Sequence, residues 1–326
     1  MINDLVQNVI DTTIGEEFEK TVRKYPKNSF VAVPSSLERD YYKDGFEINY
    51  KDALDRIFKL ENSLRKSGFG LGHRVAVALN NRPEHIILRL ALNKIGASCV
   101  PINPDYRVNE LSFVLEHSEA ELLVYLRQQK SKVDQANKLL KQPISVWCLE
   151  DGLEEFPSVK KSAKIGKVVP LTESSLLYTS GTTGTPKGCI LSHQYELMSG
   201  AWYASLGGLS EIVPGQERVF NPLPLYHINS GTVSTLGMVL TGGCQIQPDR
   251  FHPRSWWQDV NETRATIIHY LGVVAPMLLN QPVNSLEKKH SVKFGFGAGV
   301  EPGLHEIFES RFGFPLVEVW GMTEMV

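Results

Sequence analysis

Arg74-Val-Ala-Val-Ala-Leu79, then Pro83-Glu-His-Ile-Ile-Leu-Arg-Leu-Ala-Leu-Asn93, then Ser98-Cys-Val-Pro-Ile102 is the stretch whose pattern sets the fold class. After Arg74 the first segment is apolar without alternation, which suits a strand buried on both faces, as in a parallel sheet. Residues 83–93 read as a helix, with Pro83 at an early position and Ile86, Ile87, Leu90 and Leu92 apolar. Residues 98–102 read as a second buried strand. Working outward, residues 50–66 predict a helix with Leu54, Ile57, Phe58 and Leu64 on or near one face, stopped by Gly68. Residues 109–117 predict a third helix and 121–125 a third strand. Strands alternating with helices imply a parallel sheet with helical crossovers, an α/β fold. The alternation resumes downstream, with strands over 266–271 and 316–320 and helices over 273–280 and 304–311. Between the two regions, Asp151, Glu154, Glu155, Lys160, Lys161, Lys164 and Lys167 follow no apolar period. Residues 151–167 therefore read as a solvated connection between two lobes, 1–170 and 171–326.

Composition narrows the function. Of 326 residues, 42% are hydrophobic and 21% charged, so the chain has the makings of a packed core. Lys and Arg total 34 against 36 Asp and Glu, and this balance gives no general attraction to nucleic acid. Cys99, Cys148, Cys189 and Cys244 lie far apart, without the paired spacing of a zinc site or a disulfide framework. The first eleven residues lack the basic and apolar segments of a signal peptide, so the cytoplasm is the default location. Residues 221–248 contain no Asp, Glu, Lys or Arg, yet are rich in Ser, Thr, Asn, Gln and Pro. They read as buried interior rather than a membrane span.

The strongest chemical signal is Tyr178-Thr-Ser-Gly-Thr-Thr-Gly-Thr-Pro-Lys-Gly188. Its glycines let the backbone approach a ligand, its hydroxyls and N–H groups can surround an anion, and Lys187 adds a point charge for a phosphate oxygen. This is chemistry for a polyphosphate. It is not a Walker A loop, because Lys187 follows Pro186 and precedes Gly188. Glu324 follows the strand expected over 316–320, at the carboxyl end where α/β sheets bind ligands, and a single carboxylate suits Mg²⁺ beside phosphate. On its own residues, Trp320 reads as a core aromatic. His193 reads as support for the next helix, and Trp256-Trp257 as a helix fixed in the core.

The run 178–188 resembles the signature loop of the adenylate-forming enzymes, which comprise acyl-CoA synthetases, peptide-synthetase adenylation domains and luciferases. Three further stretches resemble that family's motifs in order and spacing: Gly96-Ala-Ser-Cys-Val-Pro-Ile-Asn-Pro104, Pro222-Leu-Pro-Leu-Tyr-His-Ile-Asn-Ser-Gly231 and Val319-Trp-Gly-Met-Thr-Glu324. Within the family, His227-Ile-Asn229 and Gly297-Ala-Gly-Val-Glu-Pro302 look most like ligases of the carnitine or crotonobetaine-CoA type. The resemblance implies the large N-terminal domain of these enzymes, two β-sheet subdomains flanked by helices. It also implies an acyl-CoA synthetase using ATP, Mg²⁺ and CoA: a carboxylate and ATP give acyl-AMP and pyrophosphate, and the CoA thiol then takes the acyl group.

By that resemblance, Thr179, Ser180, Gly181, Thr182, Thr183, Gly184 and Lys187 hold the phosphates. Thr323 touches the α-phosphate and Glu324 is the magnesium ligand. Gly297, Ala298, Gly299, Trp320 and Gly321 receive the adenine side. His227 stands between ATP and the acyl pocket without acting as a base, and Ile228, Asn229 and Ser230 line that pocket. Trp202, Tyr203, Gly272 and Met322 either join the lining or pack in the core. Relatives continue past the position of Val326 into a ribose-binding Asp, a hinge and a mobile C-terminal domain with a catalytic Lys. Residues 1–326 alone are therefore expected to make acyl-AMP very poorly and acyl-CoA not at all. Two alternatives stay open: an adenylation domain that loads a carrier protein, and a non-catalytic nucleotide-binding relic. A homo-oligomer is also compatible. A dinucleotide fold is disfavoured because Val300 and Pro302 stand where glycine is needed, and a hydrolase because Ser180 lacks its elbow motif.

Overall fold

The computed structural model of the chain describes residues 2–152, 155–179 and 186–325. In chain order its strands are β1 (Ser29–Val33), β2 (Phe46–Asn49), β3 (Arg74–Ala78), β4 (Ser98–Pro101), β5 (Leu122–Tyr125), β6 (Ser145–Cys148), β7 (Glu173–Thr179), β8 (Lys187–Ser192), β9 (Arg218–Phe220), β10 (Cys244–Ile246), β11 (Ile267–Leu271), β12 (Phe294–Ala298) and β13 (Leu316–Glu318). They build two sheets, ordered β6-β5-β3-β4-β7-β8 and β13-β12-β11-β9-β10-β1-β2. Each is parallel except at one edge, where β7 pairs β8 and β1 pairs β2 in antiparallel fashion. The unbroken apolar run of β3 follows from its central place: Val75, Ala76 and Val77 are wholly buried between β4 and β5.

The expected helix over 50–66 is the observed helix Tyr50–Lys66, capped by the Asn49 side chain, which accepts the Asp52 N–H. It buries Ile57, Leu60 and Leu64. Phe58, expected near that face, instead points outward at 40% exposure, with the Lys94 ammonium 4.8 Å from its ring centre. The next helix, Pro83–Ile95, is buried almost all round, packed between the helices Ile14–Lys24 and Tyr50–Lys66. Its residue Arg89 lies in the interior and pairs with Glu196 at 2.7 Å. Residues 221–248 are largely interior, as expected. Among the described residues no helix is long and apolar enough to cross a membrane.

The sheets do not part where two lobes were expected, at residues 170 and 171. β1 and β2 come from the first fifty residues yet join the second sheet, while β7 and β8 join the first. The charged stretch after residue 151 is likewise no link between lobes. It leads from β6 to β7 within one sheet, and its described part binds the turn before β3. Val159 N–H donates to Ser67 O at 2.9 Å, Lys164 N–H donates to Leu71 O at 2.8 Å, and Phe156 is buried against Trp147. A strap that crosses an edge needs backbone hydrogen bonds more than an apolar period, so its sequence looked like a free loop.

Candidate active site

β11, β12 and β13 run parallel and in register, Leu271 beside Ala298 and Gly297 beside Glu318. Their carboxyl ends therefore deliver the turns at 272–273, 299–301 and 319–325 to one side, the side on which α/β sheets bind ligands. β12 reads Phe-Gly-Phe-Gly-Ala because its two faces meet different neighbours. Phe294 and Phe296 fill the interior, while Gly295 and Gly297 lie under Tyr270. A Cβ on Gly297 would stand 2.2 Å from Tyr270 O, so only glycine fits. Gly272 is just as constrained, since its Cβ would come within 1.9 Å of Gly299 O. Glu318 ties these turns together. It accepts the Gly299 N–H at 2.6 Å and the Tyr270 hydroxyl at 3.1 Å; burial of Tyr270 first, and the Glu318 charge second, raise the Tyr270 pKa.

These turns and the segment around Asn229 enclose a cavity of about 530 Å³. It is lined by Trp202, Ile228, Asn229, Val233, Tyr270, Leu271, Phe296, Gly297, Ala298, Val319, Trp320, Gly321, Met322 and Met325, none of them charged. Trp320 is 75% exposed at its mouth, not the core aromatic its own residue type suggests. Asn229 begins a π-helical turn, Asn229–Ser234, which precedes the helix Thr235–Thr241. The wider turn fits where Gly231 presses on Leu225: a Cβ there would meet Leu225 O at 2.2 Å.

At the rim, the last segment reaches across to the first sheet. Tyr195, in the helix His193–Ala204, donates its hydroxyl to Thr323 O at 2.8 Å. That hydroxyl stays protonated, its pKa pushed up to about 12 by burial and by the neighbouring Cys189, Glu324 and Glu196. Glu324 lies against Cys189 of β8, and burial first and the Glu324 charge second raise the Cys189 thiol. The Thr179 hydroxyl and the Lys187 charge act on the same thiol in the opposite sense. Thr179 and Lys187 are direct ladder partners where β7 and β8 meet. Thr179, Lys187, Cys189 and Glu324 thus gather at one edge. Ser180, Gly181, Thr182, Thr183 and Gly184, expected between Thr179 and Lys187, lie outside the described residues.

The structure sorts the remaining expected site residues. Trp202, Ile228, Asn229, Gly297, Ala298, Trp320, Gly321 and Met322 come together around the cavity. Ser230 does not. It is wholly buried, with its hydroxyl donated to Gln247 Oε1 at 2.9 Å. Gly272 and Gly299 pack on each other behind the lining rather than in it. Tyr203 is core, its hydroxyl 2.8 Å from His269 Nε2. His227 keeps a surface open to water but is surrounded by enough protein to lower its pKa, which leaves the ring neutral. His193 starts its helix and accepts the Ile14 N–H at 3.2 Å. Sequence reading missed Asn221, His269 and Glu318, which hold the site from behind. A period-based reading of strands takes no account of an internal polar partner.

Comparison with known proteins agrees with this architecture. The profile of one protein family, described as AMP-binding enzyme, matches residues 18–326. Long-chain fatty acid transport protein 1 of Mus musculus is 30% identical over 282 residues, covering 81% of this chain and 42% of that protein. The crotonobetaine/carnitine–CoA ligase of Escherichia coli O127:H6 is 27% identical over 292 residues, covering 85% of this chain and 56% of that one. The chain thus spans about half the length of these curated relatives. Among solved structures, the N-terminal domain of FACL13 from Mycobacterium tuberculosis superposes with a TM-score of 0.80 at 20% identity, over 96% of this chain and 76% of that one. ATP-bound MatB from Rhodopseudomonas palustris gives 0.75 at 21% identity, over 96% and 60%. These likenesses show the expected fold, the N-terminal domain of adenylate-forming enzymes.

Proposed function

The chain belongs to the AMP-binding enzyme family, and from that premise we propose that its crevice joins a small carboxylic acid to the adenylate of ATP, the first half of an acid–thiol ligase reaction that ends on CoA. The observation that supports this most is the meeting of Thr179, Lys187 and Glu324 at one edge, within reach of the segment that also walls an uncharged cavity. One side offers a hydroxyl, an ammonium and a carboxylate. The other offers apolar surface for an acyl body.

In the proposed reaction a carboxylate oxygen attacks the α-phosphorus of ATP, the new O–P bond forms, and pyrophosphate leaves. Both reactants are anions, so the protein's task is to align them and neutralise charge. Lys187 is exposed at the start of β8 and places its positive charge at the phosphates. Among the described residues no three His, Cys, Asp or Glu side chains group as a metal site. A lone exposed carboxylate is nonetheless what Mg²⁺ uses when phosphate oxygens and waters complete its shell, and Glu324 would hold it. When bound, Mg²⁺ would offset phosphate charge. Trp320 offers a flat face to adenine at the mouth, with Gly297 and Ala298 keeping the approach to the backbone open. His227, neutral in its setting, adds no charge between the reactants. Among the described residues no acidic side chain lines the cavity to hold a substrate amine, which counts against an amino-acid-loading carrier domain.

A hydrolysis-resistant acyl-sulfamoyl adenosine, the analogue of the proposed intermediate, tests the reading. It should bind residues 1–326 and raise their melting temperature, and Trp320→Ala should weaken it by about tenfold. In an ATP–pyrophosphate exchange assay on the active protein, Lys187→Ala or Glu324→Gln should cost ~10²–10³ in rate with little change in melting temperature. A chain that binds no adenylate analogue ends the proposal.

A further inference from the structure

We infer that the acid taken by this cavity carries an uncharged, hydrogen-bond-accepting oxygen on an otherwise apolar body, and that the side-chain amide of Asn229 selects it. The inference rests on reading the cavity as an acyl site.

The argument starts behind the cavity, at Tyr203. Its hydroxyl is wholly buried, and among the described residues its only hydrogen-bond partner is His269 Nε2, at 2.8 Å. A buried O–H must donate, so Nε2 accepts. The His269 ring is completely enclosed, and burial pushes its pKa down to about 3, so it carries one proton. With Nε2 accepting, that proton sits on Nδ1. Nδ1 lies 2.8 Å from Asn229 Oδ1, which therefore receives it. A second chain of bonds reaches the same atom. Leu223 N–H donates to Asn221 Oδ1 at 3.0 Å, which fixes the Asn221 amide with its nitrogen facing Ser234 Oγ at 2.9 Å and Asn229 Oδ1 at 3.0 Å. The same nitrogen stands 3.2 Å from His269 Nδ1, but its two hydrogens go to the two nearer oxygens, so that contact is no hydrogen bond once Nδ1 carries the proton.

Both chains thus terminate on the oxygen of Asn229 and set its orientation. Turning the amide over would bring two amide nitrogens within 3.0 Å and strand the Tyr203 proton. What is left is the Asn229 Nδ2 group, two hydrogens with no partner among the described residues. Asn229 lines the cavity, where the side chains of Val233, Phe296 and Leu271 accept nothing. A donor in apolar surroundings gains most from a ligand that supplies the missing acceptor, and it disfavours one that covers it with carbon. The absence of charge in the lining makes an ionic tail costly to bury, so the acceptor is a neutral oxygen such as a ketone, ether or hydroxyl. Asn221, His269 and Tyr203 are positioning residues, since they act only through Asn229.

The test uses matched acids with ATP and Mg²⁺, measured by calorimetric binding: pentanoic against 4-oxopentanoic, hexanoic against 5-oxohexanoic, and heptanoic against 6-oxoheptanoic acid. The carboxylate is common to each pair, so only the added oxygen is read. One oxo acid should bind at least about tenfold tighter than its parent. Asn229→Leu should abolish that preference, so that oxo and parent acid then bind alike. Asn229→Asp keeps the shape but presents an acceptor, and it should abolish the preference too. That variant guards against misfolding of the first, and each is checked by its melting temperature. If parent and oxo acids bind alike in every pair, or if the preference survives in both variants, the inference is overturned and the adenylation reading stands. If no acid binds under any condition, the adenylation reading falls and this inference falls with it.

Discussion

Single residues here are fixed by what stands a few ångströms away. Gly272 and Gly321 lie in turns of the same site, yet they should tolerate a methyl group very differently. Gly272→Ala drives a carbon into Gly299 O, and unfolding measurements should show a loss of roughly 1–3 kcal/mol. Gly321→Ala meets open space and should stay within about 0.5 kcal/mol. Sequence alone offered no way to separate them. The place of Glu324 was legible because it depends on position alone: it follows a strand, β13, at the carboxyl end of a sheet. Tyr203, Asn221 and His269 were not, because each is an ordinary buried residue of a helix, of the turn after a strand or of a strand until its partner, distant in sequence, is known. Ser230 misled for the converse reason. Its neighbours 228 and 229 face the cavity, while the π-helical turn carries 230 into the interior.

Elements make the same distinction between local and remote causes. β3, β4, β5 and their helices were legible since burial on both faces leaves an apolar run that needs no knowledge of neighbours. β8 was not, because burial along this edge strand follows no regular period, with Lys187 and Ile190 exposed and Leu191 buried, and because it opens on Lys187 and Gly188. The strap after β6 depends on one side chain, Phe156. Phe156→Ala should cost about 3 kcal/mol and speed hydrogen exchange at the Val159 and Lys164 amides, which bond to the turn before β3. A second element has a titration built into it. In the helix Trp256–Glu262, burial raises the Asp259 pKa to about 6, against a smaller pull from its Ser255 hydrogen bond. The folded state then holds its proton more tightly than the unfolded chain. Stability should therefore fall as pH rises from about 4 to about 6, by at most about 3 kcal/mol. Asp259→Asn should flatten that part of the unfolding-versus-pH curve.

Across the whole molecule, Arg89 and Glu196 join parts that no single element connects. Arg89 comes from the helix Pro83–Ile95 and Glu196 from the helix beyond β8. The guanidinium also donates to Gly231 O and to Thr232 Oγ1, inside the π-helical turn that opens with Asn229. Glu196 in turn accepts the Ser175 hydroxyl from β7. Removing one charge leaves the other buried, so Glu196→Gln should cost about 3–5 kcal/mol. Replacing both, as Arg89→Met with Glu196→Met, should cost less than the sum of the single changes, measurable as a double-mutant cycle in denaturant. The two-sheet plan was legible only as a type of fold. Which strands share a sheet was not, because strand order depends on pairings that the chain's own order does not reveal.

One of those pairings has a consequence for how the protein is made. β1 has β10 as its parallel neighbour, so Val31 waits for Gln245. On a ribosome, at typical elongation speeds, that interval is roughly 10–40 s. Throughout it, Phe30-Val-Ala-Val33 has only β2 beside it and one open side able to stick to other nascent chains. Translation halted before Cys244 would release a polypeptide with that side still open, so the polysome pool, rather than the folded chain, is where this fold is more exposed to aggregation and more in need of a chaperone.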